Sequence, residues 1–314
     1  MSDDLFLCLH DSVIWRDLGG VLIVLNGKSG RYFQLDGSAA EIWRQIDGRR
    51  TAAAVARALA GEHDGAAAAI ERDVREFVDG ALADHLLVAR QEPASRQDAQ
   101  PGLDPALQIG ASGLTVNGSL DALREQFARN HYVQLAQFID ARLLSAILDR
   151  VAEGEFIDRS HGHIGTEECL EPGLATSMLQ LAFNDPALLA AIEEIAGCGP
   201  VRCFDGRVYR MTPGAGHYDS WHGDVGQDRQ VAVSVNLSVE PYDGGQLEIR
   251  RVSETQASHT VSNQGLGNAV MFRVSPELRH RVGPVEGAHA RMAYAGWFRS
   301  MPDFQDLFFA TLRQ

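Results

Sequence analysis

Residues 91–112 read QEPASRQDAQPGLDPALQIGAS, a polar stretch with three prolines and no sustained periodicity. Proline breaks both a helix interior and a sheet ladder, so this stretch reads as a linker. It splits the chain into two folding problems, residues 1–90 and 113–314, each long enough to bury a core of its own. No internal repeat is present.

The chain as a whole has the composition of globular protein, with 45% hydrophobic and 22% charged residues. The formal charge is −14, which gives little general attraction for nucleic-acid phosphates or an anionic membrane. No apolar run reaches the roughly 20 residues that span a bilayer. The start Met1-Ser2-Asp3-Asp4 lacks the basic and apolar regions of a signal peptide. The cysteines Cys8, Cys169, Cys198 and Cys203 include no Cys-x-x-Cys and do not make a disulfide framework. The expectation is a cytoplasmic protein with buried thiols, and with no nucleic-acid or membrane partner.

In the first half, Val13-Ile14-Trp15 and Val21-Leu22-Ile23-Val24-Leu25 are strand-like runs. Asn26-Gly27-Lys28-Ser29-Gly30 is turn chemistry, and Arg31-Tyr32-Phe33-Gln34-Leu35 reads as a third strand. Asp36-Gly37-Ser38 starts a helix carrying Ile42 and Trp43, and Thr51 is a good N-cap for a second with Val55 and Leu59. Ile70, Val74, Phe77, Val78 and Leu82 share one face of a third helix, and Leu86-Leu87-Val88 closes as a short strand. Strands followed by helices predict a small α+β, winged-helix-like domain.

That order resembles the PqqD-like family of peptide-recognition domains. The words that carry the resemblance are Gly20-Val-Leu-Ile-Val-Leu-Asn-Gly-Lys-Ser-Gly-Arg-Tyr-Phe-Gln-Leu-Asp-Gly37, Ala40-Glu-Ile-Trp43 and Gly80-Ala-Leu-Ala-Asp-His-Leu-Leu-Val88. The resemblance implies that a leader peptide adds to the sheet edge at Arg31, Tyr32 and Phe33, faced by the helix of residues 67–82. A plain regulatory or dimerising winged-helix module is the alternative. DNA binding fits less well, because that helix sets Glu71, Asp73, Glu76 and Asp79 against Arg72 and Arg75.

In the second half, residues 119–151 and the tract 184–198 read as helical, with His131–Ile139 between the first helices. From Val201 onward short apolar runs are broken by Gly, Pro and Asp. The best strands are Val231–Leu237, Gln246–Arg250, Ala269–Arg273 and Ala290–Phe298, the first with one apolar and one polar face. Short strands with frequent turns predict a jelly roll or barrel with flanking helices.

Trp221-His222-Gly223-Asp224 stands among these strands. A His-x-Asp at a strand end puts both side chains on one face. His280 follows 56 residues after Asp224, and Arg291 comes 11 residues after His280. Two imidazoles and a carboxylate on one face are the facial triad of non-heme Fe(II) oxygenases, and a planar guanidinium clamps a carboxylate with paired hydrogen bonds.

Together these features resemble the 2-oxoglutarate/Fe(II) dioxygenases on the prolyl-hydroxylase-like branch. The tail from His280 through Arg291 to Trp297-Phe298 matches, as do Tyr242-Asp-Gly-Gly-Gln-Leu-Glu248 and Phe127-x4-Tyr132-Val-x4-Phe138-Ile139. The resemblance implies a double-stranded β-helix with His222, Asp224 and His280 as ligands of Fe(II). It implies Arg291, with the hydroxyl of Tyr218, on the far carboxylate of 2-oxoglutarate, and dioxygen as the oxidant. The family often has a Ser two residues after the Arg, where this chain has Ala293. The implied reaction couples decarboxylation of 2-oxoglutarate to succinate and CO2 with hydrogen abstraction from a nearby C–H. Asp224 argues for hydroxylation or desaturation, since halogenating relatives lack that carboxylate.

Other residues read more plainly. His217, His259 and His289 are surface or neighbouring residues, and His161-Gly162-His163 is a surface or substrate-side loop rather than a metal pair. Trp221 and Trp297 are packing residues, and Ser234 and Asn236 are weak pocket candidates. Joined, the halves predict a hydroxylase that modifies a ribosomally made precursor peptide held through its leader segment. An oxygenase acting on a free small molecule, with a structural N-terminal domain, is the alternative. A non-catalytic peptide chaperone is opposed by the intact His, Asp and Arg set.

Overall fold

A computed structural model describes residues 4–63, 66–94, 105–226 and 228–312. The chain is α+β and divides into two compact units, one up to residue 104 and one from residue 105.

In the first unit, β1 (Phe6–Leu9) precedes the meander β2 (Val13–Leu18), β3 (Val21–Asn26) and β4 (Tyr32–Leu35). The sheet order is β2-β3-β4, so β3 is central, and every residue of β3 after Val21 is buried. The helices α1 (Gly37–Arg44), α2 (Ala52–Glu62) and α3 (Ala67–Ala83) follow. Thr51 caps α2, its side chain accepting from the Ala54 N–H at 3.2 Å. Val24, Trp43, Val55, Val74 and Val78 share the core. β5 (Leu87–Arg90) closes the unit by pairing antiparallel with β1, whose four residues carry too short a pattern to read alone.

The expected linker at 91–112 is ordered at its far end. Residues 95–104 lie outside the described residues, but Leu107–Gly110 is a strand, β6, paired with β7 (Gly113–Val116). Leu107 and Ile109 alternate into the core, which is why this segment pairs despite its polar surroundings.

The second unit continues with α4 (Asp121–Asn130), β8 (Tyr132–Leu135), α5 (Ala141–Ala152), β9 (Phe156–Ser160), β10 (Gly165–Leu170), α6 (Leu174–Phe183) and α7 (Pro186–Ala196). Its strands then run β11 (Cys203–Met211), β12 (Tyr218–Asp219), β13 (Arg229–Asn236), β14 (Asp243–Gly244), β15 (Leu247–Arg251), β16 (His259–Val261), β17 (Ala269–Arg273), β18 (Leu278–Val282), β19 (Val285–Glu286) and β20 (Arg291–Arg299). α8 (Phe304–Leu312) ends the described chain. The predicted strands are present, with ends displaced by at most two residues. The sequence-based reading missed α6, because its residues are apolar nearly all round and show no clear period.

The large sheet has the order β12-β10-β11-β20-β13-β17-β8, with β9 on β10, and faces the small sheet β16-β15-β18. This is the double-stranded β-helix, or jelly roll. Helices cover the back of the large sheet through Phe138, Phe183, Phe204, Tyr294 and Phe298, whose rings meet at 4.8–5.8 Å. The end of α6 is pinned to β11: the Phe204 N–H donates to Asn184 Oδ1 at 2.7 Å, and Asn184 Nδ2 donates back to the Phe204 carbonyl at 3.1 Å. β13 does not have the polar face its alternation suggested. Ala232 packs with Leu247, Ile249 and Phe272 between the two sheets, and Asn236 is buried. Cys8, Cys169 and Cys203 are buried, while Cys198 is partly exposed. Among the described residues, no helix is long and apolar enough to cross a membrane.

Candidate active site

Strand ends bring the expected donors together. His222 follows β12 and meets His280 of β18 in a two-way backbone bridge: the His222 N–H donates to the His280 carbonyl at 3.0 Å, and the reverse bond is 2.9 Å. The imidazole centroids are 4.3 Å apart. Asp224 Oδ2 lies 3.3 Å from His280 Nε2, and Oδ1 lies 3.7 Å from His222 Nε2. One ligand atom from each residue sits within 4.8 Å of the other two.

The tautomer of His222 follows from its neighbours. Nδ1 lies 2.7 Å from the Ser220 carbonyl, which only accepts, so Nδ1 carries the proton and Nε2 keeps its lone pair for a metal. Asp219 Oδ1 is 3.3 Å from the same Nδ1, and its Oδ2 accepts from the Val282 N–H at 2.7 Å. Asp219 thereby ties the His222 ring to the strand that carries His280. Two histidine nitrogens and one carboxylate, with one imidazole fixed in the metal-binding tautomer, fit Fe(II).

Asp224 is held as a carboxylate. Burial favours its neutral form, but the contacts with His280 and the Trp297 indole N–H hold its carboxyl at about 2. The Trp297 bond is 2.7 Å, and the Arg229 guanidinium stacks 3.6 Å over the Trp297 ring. Trp297 therefore holds a candidate ligand as well as packing, which its sequence context did not reveal.

Arg291, at the start of β20, is 3% exposed and lines the same cavity of about 320 Å³ as the three donors. Its guanidinium donates to the Tyr209 hydroxyl and, at 3.1 Å, to Ser234 Oγ, while its buried Nε has no partner. A buried guanidinium with an unmet N–H and two hydroxyls beside it fits a carboxylate of 2-oxoglutarate. Gly245, of the Gly-Gly pair, has φ +63°, and a Cβ there would stand 2.7 Å from Arg291 Cδ. That glycine leaves room for the arginine stem. Arg210 and Arg281 are engaged elsewhere, on Glu168 and Glu248.

The hydroxyl that meets Arg291 is that of Tyr209. Tyr218, 45% exposed on β12 and paired opposite Thr166, lines the same cavity without a hydrogen bond to Arg291. Tyr209 is buried on β11, where the register sets it opposite Ala293, two residues beyond Arg291. Where position 293 is Ala, the second hydroxyl on Arg291 is that of Ser234, which β13 places opposite Ala295. Period-two spacing on β11 also brings Arg207 to the cavity, and β10 brings Glu167. Those two were missed, because nothing local marks which strands flank the site. His161 lines it as well, in keeping with a substrate-side loop.

In the first unit, Tyr32 and Phe33 lie on β4, the outer strand of its sheet, with Arg31 just before it. Arg31 donates to Asp84 at 2.8 Å and stacks 4.8 Å over the Phe33 ring. The Asn26 N–H donates to the Arg31 carbonyl at 3.0 Å, so Arg31, Phe33 and Leu35 turn their backbone groups toward β3. By alternation, the backbone groups of Tyr32 and Gln34 turn to the other side.

Residues 22–87 match the family of coenzyme PQQ synthesis protein D (PqqD), and residues 206–299 match the 2OG-Fe(II) oxygenase superfamily. Among solved structures, a Pseudomonas putida prolyl-4-hydroxylase is similar at 23% identity over 59% of this chain and 100% of its own, with a TM-score of 0.45. A Trichoplax adhaerens prolyl hydroxylase in complex with a hypoxia inducible factor peptide fragment is 18% identical over 58% of this chain and 89% of its own, TM-score 0.47. TbiB1 in complex with the TbiA(beta) leader peptide is 24% identical over 25% of this chain and 92% of its own, TM-score 0.24. No curated protein matches the chain.

Proposed function

We propose, for a chain that joins a PqqD domain to a 2OG-Fe(II) oxygenase domain and is thus a 2-oxoglutarate-dependent dioxygenase using Fe(II) and dioxygen, that it hydroxylates a ribosomally made precursor peptide bound through its leader. The observation that carries this reading is one cavity holding His222, Asp224 and His280 together with the buried Arg291.

In this reading His222, Asp224 and His280 hold the metal, and Arg291 with Tyr209 and Ser234 holds the far carboxylate of 2-oxoglutarate. Bound Fe(II) supplies dioxygen activation and the oxidative decarboxylation of 2-oxoglutarate to succinate and CO2. The protein orients and shields. Trp297 and Arg229 fix Asp224, Asp219 fixes His222, and the two sheets exclude bulk water around the reacting carbon. The outer edge of β4 accepts the leader as an added strand, beside Phe33 and the helix α3. Covalent attachment of that edge to the oxygenase raises the local concentration of the core peptide.

The test is mass spectrometry of a leader-bearing precursor incubated with the protein, Fe(II) and 2-oxoglutarate. Gain of one oxygen atom with matching succinate supports the reading. Oxygenation of a free small molecule, with the precursor untouched, replaces it by the small-molecule alternative.

A further inference from the structure

In the cavity that holds the candidate metal ligands, Glu167 and Arg207 form an ion pair with unequal oxygens. Arg207 Nε at 2.9 Å and Nη2 at 2.8 Å both donate to Glu167 Oε1. His161 Nε2 lies 3.0 Å from the same oxygen, and the Cys169 thiol lies 3.6 Å from it. Among the described residues every one of these contacts falls on Oε1. Among the described residues none donates to Glu167 Oε2, and Arg207 donates through Nε and Nη2 but not through Nη1. The Glu167 side chain lines the cavity at 13% exposure, so Oε2 is an acceptor that a guest can take over from water.

A second metal is a poor guest. His161, Glu167 and Cys169 have ligand-like spacing, but Arg207 already supplies the cation on Oε1. Burial and the Glu167 charge also push the Cys169 thiol up to about 11, which keeps it protonated.

The charges of the cavity select among the remaining guests. Arg207, Arg229 and Arg291 line it against Glu167, Asp219 and Asp224, so the formal charges cancel. Fe(II) and the 2-oxoglutarate dianion cancel each other as well. A charged guest would leave one charge uncompensated in a partly desolvated site, whereas a neutral one would not. The ion pair itself offers one acceptor, Glu167 Oε2, beside one donor, Arg207 Nη1. A neutral side chain that donates from one atom and accepts at another on the same carbon is a primary carboxamide, whereas a hydroxyl does both through one oxygen and an imidazole does so on opposite sides of its ring.

We propose that Glu167 and Arg207 form a subsite for an Asn or Gln side chain of the peptide substrate, an inference that rests on the peptide-hydroxylase reading above. The carboxamide N–H donates to Glu167 Oε2, and its carbonyl accepts from Arg207 Nη1. His161 and Cys169 act through Oε1, turning the carboxylate so that Oε2 is presented.

The test uses the protein loaded with Mn(II) in place of iron, so that nothing turns over. 2-Oxoglutarate binding is read first in each sample. Three capped tripeptides, acetyl-Ala-Asn-Ala-N-methylamide and its Asp and Leu counterparts, are then titrated by ligand-observed NMR, the N-methyl cap leaving the Asn side chain as the sole primary carboxamide. The Asn peptide is expected to bind about tenfold tighter than the other two, because a site built for a polar group rejects analogues that lack it. Glu167→Gln presents a donor in place of Oε2 and leaves Arg207 uncompensated, so it is expected to reverse the preference toward the Asp peptide. If 2-oxoglutarate binds and the three peptides bind alike or not at all, or if Glu167→Gln keeps the Asn preference, the subsite is wrong while the oxygenase reading stands. Absence of 2-oxoglutarate binding in the unaltered protein removes the site assignment, and this inference with it.

Discussion

The indole N–H of Trp297 donates to Asp224 Oδ2 at 2.7 Å, and the face of the same ring carries the Arg229 guanidinium. β20 begins at Arg291 and reaches Trp297 three pleats later, so one strand face supports both ends of the cavity: the carboxylate clamp and the metal-side carboxylate.

Trp297→Phe keeps the ring and removes the donor. Metal affinity is expected to fall by about 10-fold or more, the usual cost of losing an outer partner of a ligand. Mn(II) titration followed by electron paramagnetic resonance reads this directly. Unchanged affinity would return Trp297 to a packing role.

Asp224 also sets an acid limb of stability in the metal-free protein. Its carboxyl is held at about 2 in the fold, against an ordinary 3.8. A depressed carboxyl contributes stability that is present above its unfolded value and is lost as pH falls from about 4 toward 2, worth about 2 kcal/mol. Urea denaturation between pH 5 and pH 2 should therefore fall less steeply for Asp224→Asn. Parallel pH profiles would show that the carboxylate is not held down by His280 and Trp297.

Arg291→Ala is expected to weaken 2-oxoglutarate binding by roughly 2–5 kcal/mol, as for a buried charge pair with one partner removed. Tyr209→Phe, which removes one hydroxyl, should cost about 1 kcal/mol. Tyr218→Phe should leave binding unchanged. Calorimetric titration of 2-oxoglutarate ranks the three, and a larger loss at Tyr218 than at Tyr209 would reverse the assignment made from the geometry.

Much of this site was legible because its chemistry is local. The His-x-Asp pair lies close along the chain, and its combination with His280 and Arg291 downstream narrowed the reading, although the segment carrying Asp224 is not a strand and only His222 bridges to β18. What the sequence hid depends on which strands become neighbours. Tyr209 reaches Arg291 through the pairing of β11 with β20, whereas Tyr218 only looked nearer along the chain. Glu167 and Arg207 meet across β10 and β11 and carry no motif. The strand Leu107–Gly110 reads as linker in the sequence because its two apolar residues gain meaning only beside β7.

The leader edge is testable apart from the oxygenase. Gln34→Pro removes a backbone donor on the outer side of β4, and proline is tolerated on edge strands when the lost N–H faces away from its sheet. Binding of a leader peptide, followed by fluorescence anisotropy, should weaken about tenfold or more for loss of strand pairing. Equal binding by both proteins would exclude strand addition at β4.

The most direct test of the account is turnover of a leader-bearing precursor by the intact chain and by its His222→Ala variant, with Fe(II) and 2-oxoglutarate supplied. The intact chain is predicted to insert one oxygen atom into the core peptide and release one succinate for each, while the variant, folded by circular dichroism, does neither. Oxygen insertion undiminished in the variant, or succinate released with no change in the peptide, would contradict it.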